Sequence, residues 1–107
     1  MESILSTKKG VCYVCGKVCK TDYHHIFFGV AKRKISDREG LTCYLCRECH
    51  KGTKGVHGRD GEKLNYSLKE IAQEAWELKY IENYPYKNHA EEAAREAFIK
   101  MMGKNYL

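Results

Sequence analysis

A chain of 107 residues with 43% hydrophobic and 31% charged content has room for one domain with a modest core, where extra staples are expected. It holds no apolar run near the roughly 18 residues of a membrane span, so no membrane partner is expected. The net charge of +5 is lopsided: residues 1–60 hold twelve Lys/Arg against six Asp/Glu, and residues 61–107 hold seven against eight. The basic half favours a polyanionic partner, nucleic acid first.

In chain order, residues 1–10, MESILSTKKG, read as a mobile tail. They lack the basic start and long apolar stretch of a signal peptide, so a protein of the reducing cytoplasm is expected. VCYVCGKVCKTD at 11–22 mixes β-branched and aromatic residues around Gly16, the composition of a knuckle turn running into a short strand. HHIFFG at 24–29 is the end of that strand and a loop. AKRKISDRE at 31–39 predicts a short helix ended by Gly40. LTCYL at 41–45 predicts a second short strand, and CRECHK begins a short helix. Glycines at 52, 55, 58 and 61 predict a flexible loop.

The remainder is helical in pattern. Ser67 with Glu70 forms a capping box, and Leu64, Leu68, Ile71, Ala75 and Leu78 recur at helical spacing, flanked by Ala72 and Trp76. This helix should run to about Asn83, before Pro85. Asn88 with Glu91 is a second start signal. Ala90, Ala93, Ala94, Ala97, Phe98 and Met101 make the next stripe, and Gly103 stands where a C-terminal cap would fall. The chain thus divides into a tail (1–10), a metal-binding module (11–60) and a helical extension (61–107) that packs on it as a hairpin.

Cys12-x-x-Cys15 and Cys46-x-x-Cys49 are the strongest feature. Two thiolates with two residues between them bite one tetrahedral ion, and two such pairs complete a four-cysteine structural zinc site. In a reducing compartment this reading outranks a disulfide framework. The length of chain between the pairs implies a functional insert. Cys19 and Cys43 are left over and read as small buried thiols, although Cys19 lies close enough to Cys15 to compete as a ligand. Four of the five histidines, His24, His25, His50 and His57, fall in the same half; His89 is expected on the surface. Adjacent histidines on a strand point in opposite directions, so His24 and His25 cannot easily serve one ion but can divide the labour.

DYHHIFFG followed by GLTCYLCRECHKGTKGVHG resembles the HNH (ββα-metal) endonucleases, particularly small phage-encoded members with two C-x-x-C zinc knuckles. The resemblance covers about residues 11–58 and implies an α+β, treble-clef-like ββα-metal module. The resemblance implies that His24 ligates a catalytic divalent metal (Mg2+, Mn2+, Ni2+ or Zn2+), that His25 is the general base, and that His50 is a further ligand. The remaining ligand of the family falls about four residues on, where this chain has Lys54, and the role passes to His57 from the following loop. The family's middle asparagine, which braces the loop of the general base, has Gly40 near its place. Either another polar group braces that loop, or catalysis is weakened or lost.

Phosphodiester cleavage needs a water nucleophile, charge at the phosphate and help for the departing oxygen. A neutral imidazole can take the water's proton, and a divalent ion with three protein ligands keeps positions open for phosphate oxygens. Lys32, Arg33, Lys34, Lys51, Lys54 and Arg59 form a cluster able to hold the flanking backbone. The expected activity is DNA hydrolysis, on double-stranded DNA, by a monomer or homodimer acting in a phage-bearing bacterial host. The alternative is a catalytically degenerate zinc-binding nucleic-acid-binding module. A zinc-stapled protein-interaction domain would explain the cysteines but not the four histidines.

Overall fold

Two four-residue segments rich in β-branched and aromatic side chains pair, and helices fill most of the rest, in a computed structural model that describes residues 1–107. Strands β1 (Asp22–His25) and β2 (Thr42–Leu45) form an antiparallel sheet in the register Asp22↔Leu45, Tyr23↔Tyr44, His24↔Cys43 and His25↔Thr42. Helix α1 (Val30–Glu39) lies between them in sequence, and α2 (Arg47–Lys51) follows β2. Helix α3 (Glu62–Glu82), a 3-10 turn (Lys87–His89) and α4 (Ala90–Met102) complete a small, compact α+β chain. None of the helices is long and apolar enough to cross a membrane.

The end of α1 shows why the sequence breaks there. Gly40 sits at φ +71° and its N–H donates to the Ser36 carbonyl. A side chain at Gly40 would also run into the carbonyl oxygen of Glu2, so only glycine fits. Ser36 is fully buried and clamps α1 to the exit of β1: its Oγ accepts from the Phe27 N–H at 3.1 Å and donates to the Phe27 carbonyl at 2.7 Å.

Three expectations need correction. The N-terminal residues are not a free tail: Ile4 and Leu5 pack on the core, and the Ile4 N–H donates to the Gly40 carbonyl at 2.9 Å. Thr7 Oγ1 accepts from the Tyr44 N–H at 3.0 Å, so this segment runs along β2. The glycine-rich stretch is a succession of tight turns rather than a loose loop. Gly55 donates to Gly52, Gly58 to Gly55 and Gly61 to Gly58, and Gly61 lies so close to the Gly55 carbonyl that a Cβ would collide with it. Lastly, α3 starts at Glu62, so Ser67 lies inside the helix and its capping box is unused.

The buried face of α3 is also rotated from the expected stripe. Leu68 and Ala72 are buried with Leu64 and Trp76 packed beside them, while Ile71 and Leu78 are exposed. A broad apolar band fits several rotations, and the partner surface selects one. In α4, Ala90, Ala94, Phe98 and Met102 form a buried i, i+4 row that ends at Gly103. Asn88 falls in the 3-10 turn, and no side chain caps α4.

Module and hairpin share one core. The Phe27 ring lies 5.8 Å from that of Phe98 and 5.3 Å from that of Tyr106. Trp76 Nε1 donates to Glu39 Oε1 at 2.9 Å, joining α3 to α1. Buried Gln73 accepts from the Tyr106 N–H at 2.7 Å and donates to Glu77 and Asn105, which folds the last residues back onto α3. Phe98→Ala should therefore lower the stability of the whole chain by about 3–5 kcal/mol. Urea denaturation followed by both tryptophan fluorescence and circular dichroism should show one shifted transition, since the two parts unfold together.

Candidate functional site

The two C-x-x-C segments converge. The Sγ atoms of Cys12, Cys15, Cys46 and Cys49 all lie within 4.8 Å of one another. Both segments fold alike, with the Cys15 N–H aimed at Cys12 Sγ (3.5 Å) and the Cys49 N–H at Cys46 Sγ (3.4 Å). Cys46 is at the same time the N-cap of α2. The Tyr13 N–H donates to the Tyr44 carbonyl at 2.8 Å, which hooks the first knuckle to the strand that leads into the second.

This cluster can hold a structural metal such as zinc. Zn–S bonds of about 2.3 Å place tetrahedral sulfurs roughly 3.8 Å apart, and Cys15 Sγ and Cys46 Sγ are separated by 3.8 Å. Burial pushes the Cys12 thiol up, but the surrounding backbone amides outweigh it and bring it down to about 6. Burial and the neighbouring sulfurs push Cys49 up. A cation among the sulfurs relieves the crowding of charge that opposes further deprotonation. Cys19 and Cys43 stand outside the cluster; Cys43 is buried and its thiol is pushed up to about 12 by burial.

A second convergence involves imidazoles. Nitrogens of His24, His50 and His57 lie within 4.8 Å of one another. The rings form a near-equilateral triangle, with centroids 5.2, 5.2 and 4.9 Å apart. Three different elements supply them. His24 comes from β1, and His50 from α2, immediately after the second knuckle. His57 is returned by the glycine turns, which dock on α2 through Val56 N–H to Cys49 O (2.9 Å) and His57 N–H to His50 O (3.0 Å). Helix α2 stops at Lys51, so Lys54 does not share a helical face with His50.

His24 is only 1% exposed, and its Nε2 is buried with no hydrogen-bond partner. Burial first, then the neighbouring imidazoles, push its pKa down to about 3, so the ring is neutral and its lone pair is available. His50 Nδ1 bonds Asp22 Oδ2 at 3.0 Å, which leaves Nε2 for the centre of the triangle. Asp22 is held below the usual carboxylate range by that bond and by Arg47, 3.4 Å away. A carboxylate behind a ligating imidazole fixes its orientation and raises its basicity.

His25 takes no part in the triangle. Strand alternation puts Asp22 and His24 on one face of β1 and Tyr23 and His25 on the other, and His25 Nε2 bonds Asp37 Oδ1 of α1 at 2.9 Å. Both faces nevertheless border one open cavity of about 650 Å3, which His24, His25, His50 and His57 line together with Arg33 and Lys51. Lys32, Lys34, Lys54 and Arg59 do not line it. Two polar partners escaped the sequence reading. Asp22 lies two residues before His24, a period-two signal that was there to be read, whereas nothing local marked Asp37. Comparison of the chain with family models, curated proteins and solved structures finds no match.

Chain purified without chelator should carry close to one firmly held zinc, measured by elemental analysis. Cys46→Ser should lose it together with cooperative unfolding; zinc near zero in the parent would defeat the four-cysteine site. The His24 shift carries its own pH signature. Its pKa falls from 6.5 in the unfolded chain to about 3 in the folded one. The unfolded state therefore takes up a proton that the folded state refuses. The associated stability is complete above about 6.5 and is lost as pH falls, by up to about 1.4 kcal/mol per unit. Urea midpoints between pH 7 and 4 should fall less steeply in His24→Leu than in the parent.

Proposed function

We propose that the chain is a metal-dependent endonuclease of the HNH, ββα-metal type, hydrolysing phosphodiester bonds in double-stranded DNA. The observation that carries this reading is the trio His24, His50 and His57, with a buried, unpartnered Nε2 on His24, in a cavity shared with His25 and two cations. The order β1, β2, α2 around that trio supports a ββα-metal module, with α1 as the insert between the strands. The four cysteines hold one zinc on this reading, and the three histidines hold a second, exchangeable divalent ion.

When bound, that divalent ion supplies positive charge for phosphate oxygens and positions open to them. The chain's own groups do the rest. His25, on the opposite face of β1, accepts the proton of the attacking water. Asp22 keeps His50 turned toward the ion. Arg33 and Lys51 line the same cavity and hold the phosphates flanking the scissile bond. Lys51 also borders a neighbouring cavity of about 550 Å3, between the first knuckle and α2, with Lys17, Lys20 and Arg47. The positive lining thus continues past the histidines, as a polyanionic substrate longer than one phosphate requires.

The reading as a degenerate nucleic-acid-binding module rested on Gly40 standing near an expected asparagine. Gly40 has a structural reason of its own, the left-handed end of α1 against Glu2. The bracing asparagine is absent all the same, which keeps the degenerate module as the alternative reading.

Supercoiled plasmid with Mg2+, Mn2+ or Ni2+ tests the proposal. The parent should nick it, and His25→Ala should reduce the rate by at least about a hundredfold while zinc content and melting temperature stay unchanged. Equal activity in that variant removes His25 from its role. An inactive parent that still binds duplex DNA favours the non-catalytic module.

A further inference from the structure

An imidazole that must take a proton from a water has to present one ring nitrogen to it, and the other nitrogen is free to be anchored. His25 Nε2 is anchored: it lies 2.9 Å from Asp37 Oδ1. Tyr23 Oη donates to the same oxygen at 3.2 Å. The Tyr23 ring meets His25 nearly edge-on, at 5.1 Å and 87°. Two side chains from one face of β1 and one from α1 therefore form a closed group at the rim of the histidine cavity.

Asp37 is held in place by more than this contact. It follows Ser36, whose hydroxyl makes both bonds to the Phe27 backbone and whose carbonyl accepts from the Gly40 and Leu41 N–H groups. The backbone of α1 is thus pinned to the chain leaving β1 one residue before Asp37. The carboxylate meets the imidazole from a fixed support rather than from the end of a mobile chain. Its side chain is 56% exposed and that of His25 is 20% exposed. A contact this open to solvent contributes little to stability. What the arrangement does supply is direction.

We infer that Asp37 is the positioning residue of His25: it accepts the Nε2 proton, fixes the ring, and leaves Nδ1 as the atom that faces the water, with Tyr23 steadying the carboxylate. The inference rests on the endonuclease reading for its chemical consequence, though not for its geometry. The proton balance is simple. Nδ1 receives the proton of the water, Nε2 keeps its own, and Asp37 stays ionised throughout.

The test uses full-length, zinc-loaded protein with supercoiled plasmid and Mn2+. Asp37→Ala should lower kcat by about ten- to a hundredfold, by analogy with the loss of a partner that orients a metal-ligating histidine, with KM, zinc content and melting temperature unchanged. Asp37→Asn, which keeps an acceptor oxygen, should recover most of that loss, and Tyr23→Phe should cost less than Asp37→Ala. A fall in KM at constant kcat would mean that Asp37 only repels phosphate, and would overturn the assignment. So would nicking at the parental rate in Asp37→Ala, while the loss in His25→Ala keeps the endonuclease reading intact. If the parent does not nick, proton NMR of the His25 ring still decides. An Nε2–H signal slowed in exchange, retained in Asp37→Asn and lost in Asp37→Ala, upholds the anchoring, and no change between parent and Asp37→Ala overturns it.

Discussion

Five residues make barely more than one helical turn, and an isolated helix of that length does not form in water. Yet α2 carries His50 and receives the turn that delivers His57. What holds α2 is sulfur at its N-terminal end. Cys46 caps it, Cys49 lies one turn in, and both meet Cys12 and Cys15 of the first knuckle. The histidine trio exists because the cysteine cluster fixes the axis of this one turn. Structural and candidate catalytic chemistry are therefore coupled through a few residues of backbone, with His50 directly next in sequence to Cys49.

Strand β1 then divides its work by parity. Even positions, Asp22 and His24, face α2 and its imidazoles, and odd positions, Tyr23 and His25, face α1 and Asp37. Each face meets its own carboxylate. Asp22 bonds the His50 ring of the imidazole trio, and Asp37 bonds the ring of His25. A doublet of identical residues thus acquires two environments through the pleat alone, one buried and neutral, one at a cavity rim.

Much of this was legible in the sequence because it is local. The C-x-x-C spacing, the alternation in DYHH and the glycine at the end of α1 each depend on a few neighbouring residues. The helical hairpin was legible for the same reason, since an apolar stripe needs no partner to be seen. Its rotation was not: Ala72 and Trp76, read as flanking residues, lie on the core side, where the Trp76 ring meets that of Phe98 at 5.6 Å. Ile4 and Leu5 were hidden by the polar residues around them. The glycine turns misled because glycine signals freedom in sequence, while here its lack of a side chain permits backbone contact. Asp37 was out of reach, for no pattern connects a helix carboxylate to a strand imidazole twelve residues earlier.

Parity also sets how the gene can change length. The strand is pinned at both ends, by Ile26 N–H to Leu41 O just beyond one and by Thr21 Oγ1, which accepts from the Gly10 N–H, just before the other. One residue inserted within β1 would exchange its two faces, turning His24 toward α1 and its neighbour toward α2. Composition would hardly change and the hydrophobic core would survive, yet every polar contact of both carboxylates would be reassigned. The connection between α3 and α4 around residues 83–89, exposed and remote from both clusters, could lengthen by several residues without that effect. Insertions should therefore accumulate there and be absent from the strand.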